Sequence, residues 1–129
     1  MDKLKHIVVI DDDDISNFLV KRSINKECLC KSIDCFSNGQ EGYEYLRKLK
    51  AENKPLPELI LLDINMPVMD GYTFLENLNT LCTKTLWQER IVVVSNSITV
   101  NDQKKLNSMG FHRTILKPVN TAKIIQLLN

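Results

Sequence analysis

VVIDDDDIS, residues 8–16, sets four carboxylates directly behind a run of aliphatics. Like charges ~4 Å apart repel by about 4 kcal/mol at a surface-like effective dielectric of ~20, so such crowding calls for a cation or a chemistry that uses it. The aliphatic half, Ile7–Ile10, is short and β-branched and reads as a strand buried on both faces. Asp11 marks its carboxyl end. Asp13 and Asp14 stand where a helix should begin, where they favour its positive dipole end and cap exposed N–H groups.

Outward from this stretch the pattern repeats. Ile33–Phe36, Leu59–Leu62, Ile91–Val94 and Thr114–Leu116 are further short apolar runs, giving five expected strands. Between them lie stripes with helical spacing: Ile15, Phe18 and Leu19; Tyr43, Leu46 and Leu49; Phe74, Leu75, Leu78, Leu81 and Cys82; and finally Ile124, Ile125 and Leu128. All four stripes are expected to face the core. Asn38-Gly39 marks the turn into the second helix, Lys54-Pro55-Leu56-Pro57 its end, and Asp70-Gly71 the start of the third. The fourth helix, Asn101 to Ser108, has only a thin apolar stripe of Val100, Leu106 and Met109. Strands alternating with helices imply right-handed crossovers and a parallel α/β sheet with helices on both sides. Ligands of such sheets bind outside the carboxyl ends of the strands, where strand order reverses.

The residues that follow the strands are therefore the candidates for chemistry. Asp11-Asp12 follow the first, Asp63 the third, Ser95 the fourth and Lys117-Pro118 the fifth. Carboxylates in a group suit Mg²⁺, which keeps octahedral oxygen coordination and takes one or two protein carboxylates along with waters and phosphate oxygens. A carboxylate can also attack phosphorus and form an aspartyl phosphate. Charge then spreads over the phosphoryl oxygens, where a metal, an amine and a hydroxyl stabilise it.

Composition narrows the classes. At 129 residues and 43% hydrophobic content the chain is long enough for one core and too short for two ordinary domains. A formal charge of +1 supplies no global field for nucleic acid, and no segment approaches the ~20 apolar residues of a membrane span. Neither a nucleic-acid nor a membrane partner is expected, and the location expected is cytoplasmic. Cys28, Cys30, Cys35 and Cys82 lack both zinc-ribbon spacing and the density of a disulfide scaffold, so free, partly buried thiols are expected. His6 and His112 stand alone, without a second ligand of their type nearby.

VVIDDDD, LILLDINMPVMDG, VVVSNS and LKP, in this order and across essentially the whole chain, resemble the receiver domain of two-component response regulators. The resemblance implies a flavodoxin-like (βα)5 fold, doubly wound, with strand order 2-1-3-4-5. It implies one domain over residues 1–129 and, since Asn129 follows directly on the last helix, no output domain. It further implies that Asp63 accepts a phosphoryl group from a sensor histidine kinase or a histidine phosphotransfer protein. Mg²⁺ would be held by Asp12, by Asp11 directly or through water, by the Asp63 carboxylate and by the backbone carbonyl of Asn65. Lys117 would pair with the phosphoryl group and Ser95 turn inward to bind it. Met66-Pro67 and Asp70-Gly71 would shape the loop after Asp63, and Lys117-Pro118 would be cis. Such a protein is a signalling switch rather than an enzyme. Its downstream protein target is expected on the face of the fourth helix and fifth strand, with onward transfer to another histidine as the other outlet.

Two positions depart from the family pattern. Thr114 stands where receivers carry a switch aromatic, and Asn96 replaces a small residue beside Ser95, narrowing access to the phosphoryl site. Three other readings are open to the same residues. A haloacid dehalogenase-type phosphohydrolase would use Asp11 as nucleophile and Asp13 as acid/base, but Ile15 falls where threonine or valine is usual. A calcium loop starting at Asp11 would put Ser16 in place of glycine and Arg22 in place of glutamate. A pseudo-receiver would bind a partner without taking phosphate.

Overall fold

A computed structural model describes residues 4–66 and 69–128, without the Leu128 side chain. The strands are β1 (Leu4–Ile10), β2 (Cys30–Phe36), β3 (Leu59–Asp63), β4 (Ile91–Ser95) and β5 (Thr114–Leu116). The helices are α1 (Asp14–Lys26), α2 (Gly39–Ala51), α3 (Gly71–Leu78), α4 (Lys84–Arg90), α5 (Val100–Met109) and α6 (Thr121–Leu128). All neighbouring strands are parallel, in the order β2-β1-β3-β4-β5. This is the expected doubly wound flavodoxin-like sheet.

Alternation along the strands divides the core in two. Val8, Ile10, Ile60, Leu62, Ile91 and Val93 point to the face covered by α2, α3, α4 and α5, while Ile7, Val9, Leu59, Leu61, Val92 and Val94 point to the face covered by α1 and α6. Burial on both faces explains why β1, β3 and β4 are so uniformly aliphatic. The edge strands differ from that expectation: β2 and β5 each have one unpaired side and are largely half-buried or exposed.

Helix starts follow the local chemistry. The Asp13 carboxylate accepts from the Ile15 and Ser16 amides, Asn38 from Glu41 and Asp70 from Thr73, so each expected boundary is an N-cap. Gly110 closes α5 in the left-handed region at φ 88°, which lets the Phe111 amide reach the Leu106 carbonyl at 2.9 Å. The Lys117-Pro118 bond is cis, as expected. Met66 is buried, whereas its partner in the expected loop motif, Pro67, lies outside the described residues. All four cysteines are free.

Two expectations need correction. The α1 stripe faces outward: Ile15, Phe18 and Leu19 are 71%, 64% and 48% exposed, and the buried side is Asn17, Val20 and Ile24. Asn17 is buried with its Nδ2 donating to the Asp11 carbonyl at 2.9 Å, while its Oδ1 is buried without a protein partner. The second correction concerns α3, which ends at Leu78 rather than running on through Leu81 and Cys82. A separate helix, α4, follows, held by the fully buried Trp87, whose indole N–H donates to the Leu78 carbonyl at 2.9 Å. With α4 present, the expected fourth helix is α5. Its Val100 is 72% exposed and only Leu106 is buried.

Candidate functional site

Strand order reverses at β1, flanked by β2 and β3, and the polar residues collect beyond the carboxyl ends at that point. The Asp11 amide continues the β1 ladder onto the Phe36 carbonyl at 3.0 Å, which sinks the Asp11 side chain. Asp63 and Ser95 are the last residues of β3 and β4 and are buried. Lys117, just past β5, is held by its amide to the Ser95 carbonyl at 2.9 Å.

Each buried acid is fixed from two sides. Asp11 accepts from the Asp13 amide at 2.9 Å on one oxygen and from Lys117 Nζ at 2.6 Å on the other. Asp63 accepts from the Asn65 amide at 2.9 Å and from Lys117 Nζ at 3.4 Å. Asp12 is exposed, and carboxylate oxygens of Asp11, Asp12 and Asp63 lie within 4.8 Å of one another. For the buried pair Asp11 and Asp63, both ionised, that spacing means a repulsion of roughly 3 kcal/mol at an effective dielectric of ~20, whereas water screens the exposed Asp12. Burial, together with the Asp11 charge, pushes the Asp63 carboxyl up to about 6, against the pull of the Asn65 amide and Lys117. Burial alone would lower Lys117, but Asp11 and then Asp63 outweigh it and raise its pKa.

Three carboxylates against one ammonium leave a local charge of about −2 when all are ionised. An oxygen-only donor set with that charge fits a hard divalent cation such as Mg²⁺. A cleft of ≈ 330 Å³ opens above it, bordered by Asp12, Asp63, Asn65, Ser95, Asn96 and Lys117. Asn96 is exposed at its mouth.

Ser95 is bound differently. Its hydroxyl donates to the Ser97 carbonyl at 2.9 Å and accepts from Asn65 Nδ2 at 3.1 Å. Its single proton is thus spent on the loop, and turning toward Asp63 requires rotation away from Ser97.

Asp11, Asp12, Asp63, Ser95 and Lys117 therefore come together as the sequence predicts. Asn65 is also present, through its amide on Asp63 and its side chain on Ser95. That side chain, the Ser97 carbonyl and Asn17 under the Asp11 carbonyl are site residues that sequence reasoning missed. An asparagine inside an otherwise apolar helical face was the one available signal, at Asn17. Asp13 is an N-cap, as expected, and also borders the cleft. Thr114 donates to the Gln103 side chain of α5 at 3.4 Å. His6 lies away from the cleft, 2.7 Å from Asp34 Oδ2 and beside Tyr45, and His112 bonds to Asn107.

Comparisons with known proteins agree with this geometry. Residues 7–129 match the family described as response regulator receiver domain. The nitrate/nitrite response regulator protein NarL of Escherichia coli is 33% identical over 123 residues, 95% of this chain and 52% of its own length. Hybrid signal transduction histidine kinase D of Dictyostelium discoideum is 31% identical over 120 residues, 88% of this chain but only 7% of that protein. The chain thus spans a small part of one relative and about half of the other. Among solved structures, a two-component response regulator from Cytophaga hutchinsonii superposes with a TM-score of 0.86 at 26% identity, covering 99% of this chain and 96% of that one. One from Legionella pneumophila gives 0.80 at 27%, covering 96% and 95%.

Proposed function

This chain belongs to the response regulator receiver family, and from that premise we propose that it takes a phosphoryl group on Asp63 from a phosphohistidine of a sensor kinase or phosphotransfer protein. The observation that carries the reading is the placement of the Asp63 carboxylate beside Asp11 and Asp12 and within 3.4 Å of Lys117 Nζ. An Asp63 oxygen attacks phosphorus, the P–N bond breaks, and the imidazole leaves with its electron pair and takes a proton. The Asp11, Asp12 and Asp63 carboxylates and the Asn65 carbonyl would hold Mg²⁺, which would neutralise charge on the phosphoryl oxygens. Lys117 moves its hydrogen bond from Asp63 to one of those oxygens. Ser95 rotates off the Ser97 carbonyl to donate to another.

The product is a signal rather than a released chemical: a changed surface or onward transfer of phosphate, in the cytoplasm. Two exposed apolar faces support this. Ile15, Phe18 and Leu19 are exposed on α1, the helix that starts directly after the acid loop, and a cleft of ≈ 620 Å³ lined by Phe18, Lys21 and Arg22 lies along that helix, a surface for the phosphoryl donor. Val100 and the 51% exposed Leu116 mark the α5–β5 face for the downstream protein. Among the described residues no helix is long and apolar enough to cross a membrane.

Incubation with acetyl phosphate and Mg²⁺ tests the reading. One hydroxylamine-labile phosphate per chain is expected, absent in Asp63→Asn and reduced in Asp12→Asn. No label on the wild-type chain would favour a pseudo-receiver. Repeated turnover lost on changing Asp11 or Asp13 would favour the dehalogenase-type hydrolase, against which stands the use of the Asp13 carboxylate as the α1 cap.

A further inference from the structure

The loops that leave the site after Asp63 and after Ser95 each run into a helix. Residues 64–70 lead from Asp63 to α3, and residues 96–99 lead from Ser95 to α5. The helices that begin there are joined directly: the Tyr72 hydroxyl, on the second residue of α3, donates to Asp102 Oδ1 on the third residue of α5 at 2.6 Å. Lys105, one turn further along α5, places its ammonium 4.0 Å from the centroid of the Tyr72 ring.

Asp102 has a second task. Its other oxygen accepts from the Thr99 amide at 3.1 Å while its own amide donates to Thr99 Oγ1 at 3.0 Å, a reciprocal capping box that fixes the last residue of the Ser95 loop. One carboxylate therefore ties the Ser95 loop to the start of α3. The Tyr72 hydrogen bond holds Asp102 below the usual carboxylate range, and burial, then the same contact, raises the Tyr72 phenol, so the two stay as hydroxyl donor and carboxylate acceptor at neutral pH. Little else anchors α5. Leu106 is its one fully buried residue, and the Thr114 bond to Gln103 is long at 3.4 Å.

We propose that the Tyr72–Asp102 hydrogen bond is a latch that holds the first turn of α5, and through Thr99 the Ser95 loop, in the resting position. The link to phosphorylation rests on the phosphoacceptor reading above. Ser95 reaches a phosphoryl oxygen only by giving up the Ser97 carbonyl, so the loop behind it shifts and Thr99 and Asp102 are drawn away from Tyr72. The latch favours the resting member of a two-state equilibrium, and the phosphoryl group favours the other. Gly71 fixes the Tyr72 end, because a Cβ there would come within 2.5 Å of the Ile64 backbone, so α3 starts hard against the Asp63 loop.

Tyr72→Phe removes the hydroxyl and keeps the ring under Lys105. In the free full-length chain, amide hydrogens of residues 99–106 are expected to exchange roughly tenfold faster, the scale of a lost hydrogen bond to a charged group, while β1, β3 and β4 keep their protection. Asp102→Asn leaves one acceptor oxygen for two donors, the Tyr72 hydroxyl and the Thr99 amide, so it should exchange at least as fast as Tyr72→Phe. Tyr43→Phe is the control, since it removes an exposed hydroxyl 2.8 Å from Thr80 and should change nothing in α5. In the presence of Mg²⁺, beryllofluoride should bind Tyr72→Phe several-fold more tightly than the wild type, because less of the population rests behind the latch. Unchanged exchange over 99–106 overturns the latch. Faster exchange with unchanged beryllofluoride affinity overturns its coupling to Ser95. A wild-type chain that binds no beryllofluoride sinks the phosphoacceptor reading, and the exchange of the free protein then decides the latch alone.

Discussion

At the ends of β1 and β3, Asp11 and Asp63 are each gripped by a backbone amide and by Lys117, whereas at the end of β4 the equally buried Ser95 is held by Asn65 and Ser97 on the loops. The first arrangement is charged and fixed from opposite sides. The second is neutral and comes apart by rotation about one bond. Hydrogen bonds to charged groups contribute about 1.5–3 kcal/mol and neutral ones about 0.5–1.5, so the acid corner resists rearrangement and the serine corner does not. A site that must hold its nucleophile still, yet report that it has reacted, benefits from both within one rim.

The largest effect is expected where the acid corner loses Lys117, its one cationic partner among the described residues. Lys117→Met leaves Asp11 and Asp63 buried without their shared partner and should cost about 3–5 kcal/mol in chemical denaturation, the usual scale for breaking a buried ion pair from one side. Added Mg²⁺ should recover part of that loss. In the wild type, Mg²⁺ at a hundred times its dissociation constant should stabilise the fold by about 2.7 kcal/mol. Asp12→Asn should abolish this gain and leave metal-free stability nearly unchanged, because Asp12 is exposed while its oxygens complete the cluster. A metal-induced gain that survives in Asp12→Asn would break the assignment of the acids to one ion.

Much of this corner was legible in the sequence for a simple reason: each residue is the first polar one after an aliphatic run, and parallel strands deliver those positions to one edge. The caps Asp13, Asn38 and Asp70 were legible for the same local reason. The outer face of α1 was not, because Ile15, Phe18 and Leu19 form the same stripe whether a helix turns it in or out, and the residue that reveals the true phase is the polar Asn17. Helix α4 escaped because a single tryptophan anchors its seven residues. The side-chain bonds of Asn65 and Tyr72 join separate loops and helices, so nothing in their spacing along the chain announces them.

A smaller effect is expected in the pH dependence that Asp63 gives the fold. The Asp63 carboxyl sits at about 6 in the fold against an ordinary value of 3.8, so the folded state holds its proton more tightly than the unfolded chain does. Ionised Asp63 therefore costs stability; the cost is complete above about 6 and absent below about 3.8. Asp63→Asn should be more stable than the wild type at pH 7, by roughly 1–3 kcal/mol, the equivalent of a shift of one to two pKa units. The advantage should shrink as pH falls from about 6 to 4. Denaturation midpoints of the two proteins across that range provide the check, and a gain that persists at pH 3.5 would mean that something other than the buried charge had changed.

The smallest effect is expected at the serine corner. Ser95→Ala removes one hydroxyl and frees an Asn65 amide and a Ser97 carbonyl, both on exposed residues that water can reach. The cost should stay below about 1 kcal/mol, at the low end for a neutral hydrogen bond. Asp63 should still take phosphate from acetyl phosphate, since Lys117 and the acids are untouched. What should disappear is the change in amide exchange over residues 99–106 that phosphorylation brings in the wild type, because no hydroxyl remains to draw the loop inward. A loss of stability approaching that of Lys117→Met would erase the contrast between the corners, and a full response in α5 would move the trigger from Ser95 to another group on the rim.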